Sequence, residues 1–164
     1  MHSKLLKLAA LASCVAAQEA LNLTAALSAT PDLSNLTSYV SLFPELLSTL
    51  GSAQNITILA PSNEAFAKFL DSDAGSLIND TGVIQAVLQY HVLNGTYPGS
   101  AITETPAFVP TLLSNESYTN VTGGQVVEAV KQGENVVFYS GLLSNATVTK
   151  ADTNFTGGVI HIIE

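Results

Sequence analysis

Thr57-Ile58-Leu59-Ala60-Pro61-Ser62-Asn63-Glu64-Ala65-Phe66 reads as a short buried strand running directly into a capped helix. Ile56–Ala60 is an apolar run of strand length. Pro61 ends it, because proline brings no N–H to a sheet ladder. Ser62 or Asn63 can accept a hydrogen bond from the open N–H groups of the first helical turn. Glu64 lies where the helix dipole favours negative charge. Ala65, Phe66, Phe69 and Leu70 give the helix a single apolar stripe.

On the N-terminal side, short helices are expected. Leu21–Ser28 is the first, and Thr30-Pro31-Asp32 breaks it. Ser34 can cap a second helix carrying Leu36, Tyr39, Val40 and Phe43. Pro44 opens a third with Leu46, Leu47 and Leu50, and Gly51 closes it. On the C-terminal side, Val83, Ile84, Val87, Leu88 and His91 form the inward stripe of a helix over Thr81–His91. The second half then changes character. Val126–Lys131, Asn135–Ser140, Ala146–Ala151 and Val159–Glu164 read as strands, with glycines between them. Helices gathered in one half and strands in the other give an α+β class.

The opening segment resembles the first signature of the fasciclin I domain family, commonly T-x-F-A-P-T-N-E-A-F. Leu88-Gln89-Tyr90-His91-Val92-Leu93 is similar to the family's Tyr-His motif. Gly157-Gly158-Val159-Ile160-His161-Ile162-Ile163-Glu164 is similar to its closing segment, usually G-V-I-H-V-I-D. Val136–Gly141 and Ala146–Asp152 match a recurring strand pair before that closure. The resemblance covers about residues 19–164, with the segments in family order. It implies a fasciclin I fold: a wedge-like β-sandwich decorated by N-terminal and central α-helices. In the family the chain usually continues beyond the last motif. Residues 18–164 are therefore expected to be one fasciclin-like domain truncated at its C-terminal end, which a second domain or lipid anchor could follow.

Residues 1–17 read as a secretory signal peptide. Lys4 and Lys7 precede or interrupt the apolar stretch that runs from Leu8 to Val15, and small residues precede a cut ahead of Gln18. Its removal takes away Cys14, the only cysteine, so the remaining domain holds itself together without a disulfide. The 147 residues that remain of 164 suit one domain with a substantial core. The formal charge moves from −8 to −10 when Lys4 and Lys7 leave. Lys68, Lys131 and Lys150 are then the only basic residues other than histidine, and there is no arginine. Such a chain cannot present the basic patch that nucleic acid or anionic lipid headgroups require. No later stretch has the roughly 18 apolar residues of a membrane helix.

Nine of the 11 asparagines after residue 17 head an N-x-S/T acceptor: Asn22, Asn35, Asn55, Asn79, Asn94, Asn115, Asn120, Asn145 and Asn154. Chance would give about two at this Ser/Thr content. The excess agrees with the signal peptide and predicts a densely N-glycosylated secretory protein. Every occupied acceptor must then lie on the surface.

Catalytic chemistry finds little support. His91 and His161 are the only histidines beyond the signal peptide, and both fall on apolar faces, which suits hydrogen-bonded core residues. A Ser62–His91 nucleophile pair is better explained by Ser62 as a helix cap. No cysteine or carboxylate spacing marks a metal site, and Asp71-Ser72-Asp73-Ala74-Gly75 lacks the later ligands of a calcium loop. No nucleophile elbow, zincin helix or phosphate loop is present. A non-enzymatic protein without cofactor or metal is expected. The resemblance assigns adhesion to Tyr90 and His91 with their apolar neighbours, against which stands a purely structural role at a helix-to-strand junction. It also implies a module of cell adhesion or of extracellular matrix or cell-wall organisation. The partner would be an extracellular protein or carbohydrate, in one case a second copy of the same module. The expected location is extracellular, at the cell surface or in the wall, with the vacuolar lumen as another end of the secretory route. The alternative is a soluble carrier of a lipid or other apolar ligand, which an apolar content of 47% permits.

Overall fold

A computed structural model describes residues 21–72, 75, 80–119, 122–141 and 144–164. The signal-peptide segment and the acceptors Asn79 and Asn120 lie outside the described residues. Helix α1 spans Leu23–Ser28, and Asn22 caps it, its Oδ1 accepting from the Ala25 N–H at 2.8 Å. A single 3-10 turn, Pro31–Leu33, leads into α2, Ser34–Val40; α3 is Pro44–Ser52. Two expectations change here. Gly51 does not close α3, which runs on to Ser52 because Ala53 is the first residue to turn extended. Ser34 is the first residue of α2, not its cap.

The cap of α2 comes from elsewhere in the chain. Strand β1, Ile56–Pro61, ends at Ser62, which caps α4, Asn63–Leu70, by accepting from the Ala65 N–H at 3.2 Å. Asn63 is thereby released to reach back across 28 residues. Its Oδ1 accepts from the Asn35 N–H at 2.9 Å, and its Nδ2 donates to Pro31 O and Ser34 Oγ, both at 3.0 Å. One side chain thus clamps the first turns of α2 and α4 together. Asn63→Ala is expected to cost about 1.5 kcal/mol, an N-cap loss plus solvent-screened bonds. Urea unfolding would read it; a variant as stable as the parent would remove this clamp from the account.

Helix α5, Thr81–Tyr90, is capped by Asp80 and passes directly into β2, Val92–Asn94. The remaining strands are β3, Ala107–Pro110; β4, Val126–Gln132; β5, Asn135–Tyr139; β6, Asn145–Phe155; and β7, Gly158–Ile163. Their order is β2-β1-β7-β6-β5-β4-β3. The β1–β7 pair is parallel and the others are antiparallel. A bridge between Leu93 and Thr111 brings β2 back to the chain just past β3, so the sheet folds on itself as a wedge. β6 makes the fold possible. Its first residues pair with β5, its later ones with β7, and irregularities between Val148 and Thr153 bend it from one half to the other. That bend carries Asp152 at φ 60°.

Two apolar clusters result. Leu23, Leu27, Leu33, Leu36, Val40 and Leu50 of the helical layer pack on Ile56, Ile58, Ile160 and Ile162. Leu59, Leu93, Val109, Val127, Phe138 and Ile163 fill the inside of the wedge. The alternation of β1 and β7 between these clusters follows from the two-residue period of a strand.

Candidate functional site

The Tyr90-His91 pair sits where α5 ends and β2 begins. His91 is the C-cap of α5. Its Nδ1 donates to Val87 O at 2.8 Å, a last-turn carbonyl that also accepts from the His91 N–H at 3.2 Å. Its own carbonyl accepts from the Leu59 N–H at 2.7 Å, tying the junction to β1. Tyr90 is half-buried and packs against the wedge interior. Its phenol hydrogen-bonds with the Gly141 backbone and the Ser140 side chain, beyond β5. Burial raises the phenol above the ordinary tyrosine range, with those two bonds opposing. The rings of Tyr90 and His91 meet edge-to-face at 6.1 Å. Both side chains are therefore engaged inside the fold.

Burial lowers the His91 imidazole pKa, and the bond to Val87 opposes it. The folded state then binds fewer protons than the unfolded chain between the lowered value and about 6.5. The stability this group contributes is present above about pH 6.5 and is lost as pH falls through that window. The difference in unfolding free energy between the parent and His91→Gln should shrink from pH 7.5 to 5. A difference independent of pH would sink this account.

Among the described residues, His161 is the only histidine, and one of few polar residues, that is fully buried. The Asp152 N–H donates to its Nδ1 at 3.2 Å, which leaves the proton on Nε2, and Nε2–H donates to Tyr97 O at 2.7 Å. Tyr97 N–H in turn donates to Thr57 Oγ1 at 2.9 Å, and Thr57, fully buried, donates to Gly95 O at 2.8 Å. This polar thread joins β7, the bend of β6, the loop after β2 and β1. The sequence pattern placed His161 inward but could not show these partners, since they lie 9 and 64 residues away.

Ser62 and His91 do not form a nucleophile–base pair. Ser62 Oγ accepts from Ala65 N–H and lies 3.5 Å from Glu164 Oε1, while the His91 ring bonds Val87. Among the described residues there is no group of three or more His, Cys, Asp or Glu side chains arranged to hold a metal, and no buried side-chain polar atom lacks a partner.

A cavity of about 250 Å³ lies between the helical layer and the sheet. Leu27, Val40, Phe66, Phe69 and Leu88 contribute to its walls, and His91 and Glu164 also line it. Sequence reading raised an apolar-ligand site only through bulk composition. No local motif encodes this cavity, because its walls come from eight separate segments.

The seven described sequon asparagines, Asn22, Asn35, Asn55, Asn94, Asn115, Asn145 and Asn154, are all exposed. Four of them gather at one pole. Asn22 precedes α1, Asn55 precedes β1, Asn94 pairs with Ile56, and Asn154 pairs with Val159. Among the described residues, no helix is long and apolar enough to cross a membrane.

A family model described as the Fasciclin domain matches residues 31–164. A fasciclin-like arabinogalactan protein of Arthroderma benhamiae is 33% identical over 82% of this chain and 32% of its own length. The fasciclin-like arabinogalactan protein elcF of Phaeosphaeria nodorum is 32% identical over 87% of this chain and 45% of its own. Fasciclin-1 of Drosophila melanogaster is 31% identical over 73% of this chain and 18% of its own. The chain thus spans less than half the length of these curated relatives. A solved FAS1 domain pair from the insect cell adhesion molecule fasciclin I superposes with a TM-score of 0.63 at 23% identity, over 82% of this chain and 45% of that one.

Proposed function

Because this chain belongs to the fasciclin domain family, we propose that it is a secreted, N-glycosylated, non-catalytic module of cell adhesion or of extracellular matrix or cell-wall organisation. The observation that carries this reading is the outward placement of all seven described sequon asparagines on a domain of that family. A chain not selected for glycosylation has no reason to put nine acceptors in its sequence and leave the described ones free of the core. The relatives named for arabinogalactan protein and for cell adhesion support the same assignment. The location that follows is extracellular, at the surface or wall. The partner is an extracellular protein, a carbohydrate or a second copy of the module.

Tyr90 and His91 support adhesion indirectly, by holding α5 to the sheet, since the Tyr90 phenol and His91 Nδ1 are hydrogen-bonded within the fold. Contacts that bridge cells must then use the exposed surface between the glycans or the glycans themselves. Beads coated with the secreted domain, with and without enzymatic N-glycan removal, test the reading. Clumping, or binding to isolated wall or matrix material, is the expected result, and its loss on deglycosylation would assign the contact to sugar. A glycosylated domain that neither clumps nor binds such material would end the proposal.

A further inference from the structure

The cavity beneath α5 is out of keeping with an ordinary core. Protein interiors are close-packed, with few voids larger than a water molecule. This one, partly open at the surface, holds about 250 Å³. Apolar walls facing empty space lose the dispersion contacts that a packed core would supply, and water gains too few partners there to fill it well. The helix above it shows the same deficit. Val87 and Leu88, the α5 residues that line it, are only half-buried, as are Val83 and Ile84 one turn earlier, and Ala86 alone is fully covered. The sequence has thus kept an apolar helix over an apolar hollow without closing the two together.

We infer that this cavity is a binding site for a small uncharged lipophile of about ten non-hydrogen atoms carrying one hydroxyl group. The size follows from volume, since an apolar cavity of roughly 150 Å³ already accommodates benzene. The head group follows from the two side chains with polar groups among the described lining residues. His91 Nδ1 donates to Val87 O, so the neutral ring offers only Nε2, an acceptor. Glu164 is an acceptor as a carboxylate. A hydroxyl, with its one O–H donor, complements either of them. A carboxylate head finds no cation among the described lining residues and meets the charge of Glu164. A cationic head finds one carboxylate and otherwise apolar walls, too little to replace its hydration shell. The assignment does not depend on the adhesion proposal.

The full secreted protein would be titrated calorimetrically with 1-nonanol, nonanoate and nonylammonium at pH 8. Saturable 1:1 binding of 1-nonanol is expected, at least tenfold tighter than either ion, with a rise in Tm. Ala65→Leu, on α4 within the lining, should fill the space and weaken 1-nonanol at least tenfold while keeping or raising the Tm without ligand. Ala146→Leu, on the β6 wall, replaces it should the first variant fail to fold. No saturable 1-nonanol binding, or binding that both filled variants retain, overturns the site. Nonanoate or nonylammonium binding as tightly as the alcohol overturns the uncharged hydroxyl assignment.

Discussion

Gly158→Ala is expected to cost about 4 kcal/mol or more and to leave little folded protein on expression. Gly158 begins β7 opposite Ile56, the first residue of β1, in the parallel pair flanked by β2 and β6. A Cβ on Gly158 would collide with the carbonyl oxygen of Ile56, with the Ile56 carbonyl carbon and nitrogen at 2.9 and 3.1 Å. All three are backbone atoms, so no rotamer change relieves the clash; β1 or β7 must move. Moving either disturbs both apolar clusters, because the two strands contribute to each. Domains of this size are stable by only about 5–15 kcal/mol, so one such displacement approaches the whole margin. Gly51→Ala supplies the control of opposite sign. Gly51 lies inside α3 with nothing within 4 Å of an added Cβ, and alanine there should stabilise by about 0.7 kcal/mol through helix propensity. Urea midpoints and folded yields of both variants check the pair. Gly158→Ala within 1 kcal/mol of the parent would mean that β1 and β7 do not approach as described.

The second large effect is expected at His161. His161→Ala should cost about 4 kcal/mol, since it removes a fully buried ring and both of its hydrogen bonds. The ring lies 6.2 Å from that of Phe138, so its loss also opens the wedge interior. His161→Phe keeps the volume but strands the Asp152 N–H and the Tyr97 carbonyl, and should cost about 2 kcal/mol. The order parent, Phe, Ala in chemical denaturation separates packing from hydrogen bonding. Phe equal to the parent would show that the polar thread adds nothing to stability. Amide exchange at Asp152 should rise in both variants, because the φ 60° bend of β6 loses the acceptor that holds its N–H.

The strands show where local reading works and where it stops. β4 and β5 were legible because Val126–Gln132 and Asn135–Tyr139 alternate or run apolar and are divided by Gly133-Glu134. The local pattern of β6 covers only Ala146–Ala151, yet the strand extends over Asn145–Phe155. Its second half, Lys150-Ala151-Asp152-Thr153-Asn154, is almost wholly polar; the register with β7 and the bond to His161 hold it in the sheet. β3, Ala107–Pro110, was not read as a strand. It is short and bounded by Pro106 and Pro110, which an edge strand with a single neighbour tolerates and a central one does not.

The candidate sites divide in the same way. Ser62 was legible as a cap, and the sequons as surface positions, because both depend on residues within a few places along the chain. The work of Asn63 was not, since its partners are Pro31, Ser34 and Asn35. Tyr90 and His91 were placed at a helix-to-strand junction by pattern, but their bonds to Ser140, Gly141 and Val87 could be seen only once the chain had folded.

By itself, then, the sequence determined the α+β class, the strand–cap–helix opening, the family, and the outward placement of the described sequon asparagines. Periodicity, capping and short motifs are local properties, and they act through neighbours a few residues apart. Tertiary structure alone decided the parallel union of β1 with β7, the bend of β6, the role of His161 and the cavity under α5. Each of these depends on groups brought together from distant parts of the chain, and the space left between layers is set by how whole elements meet, which no window of sequence contains.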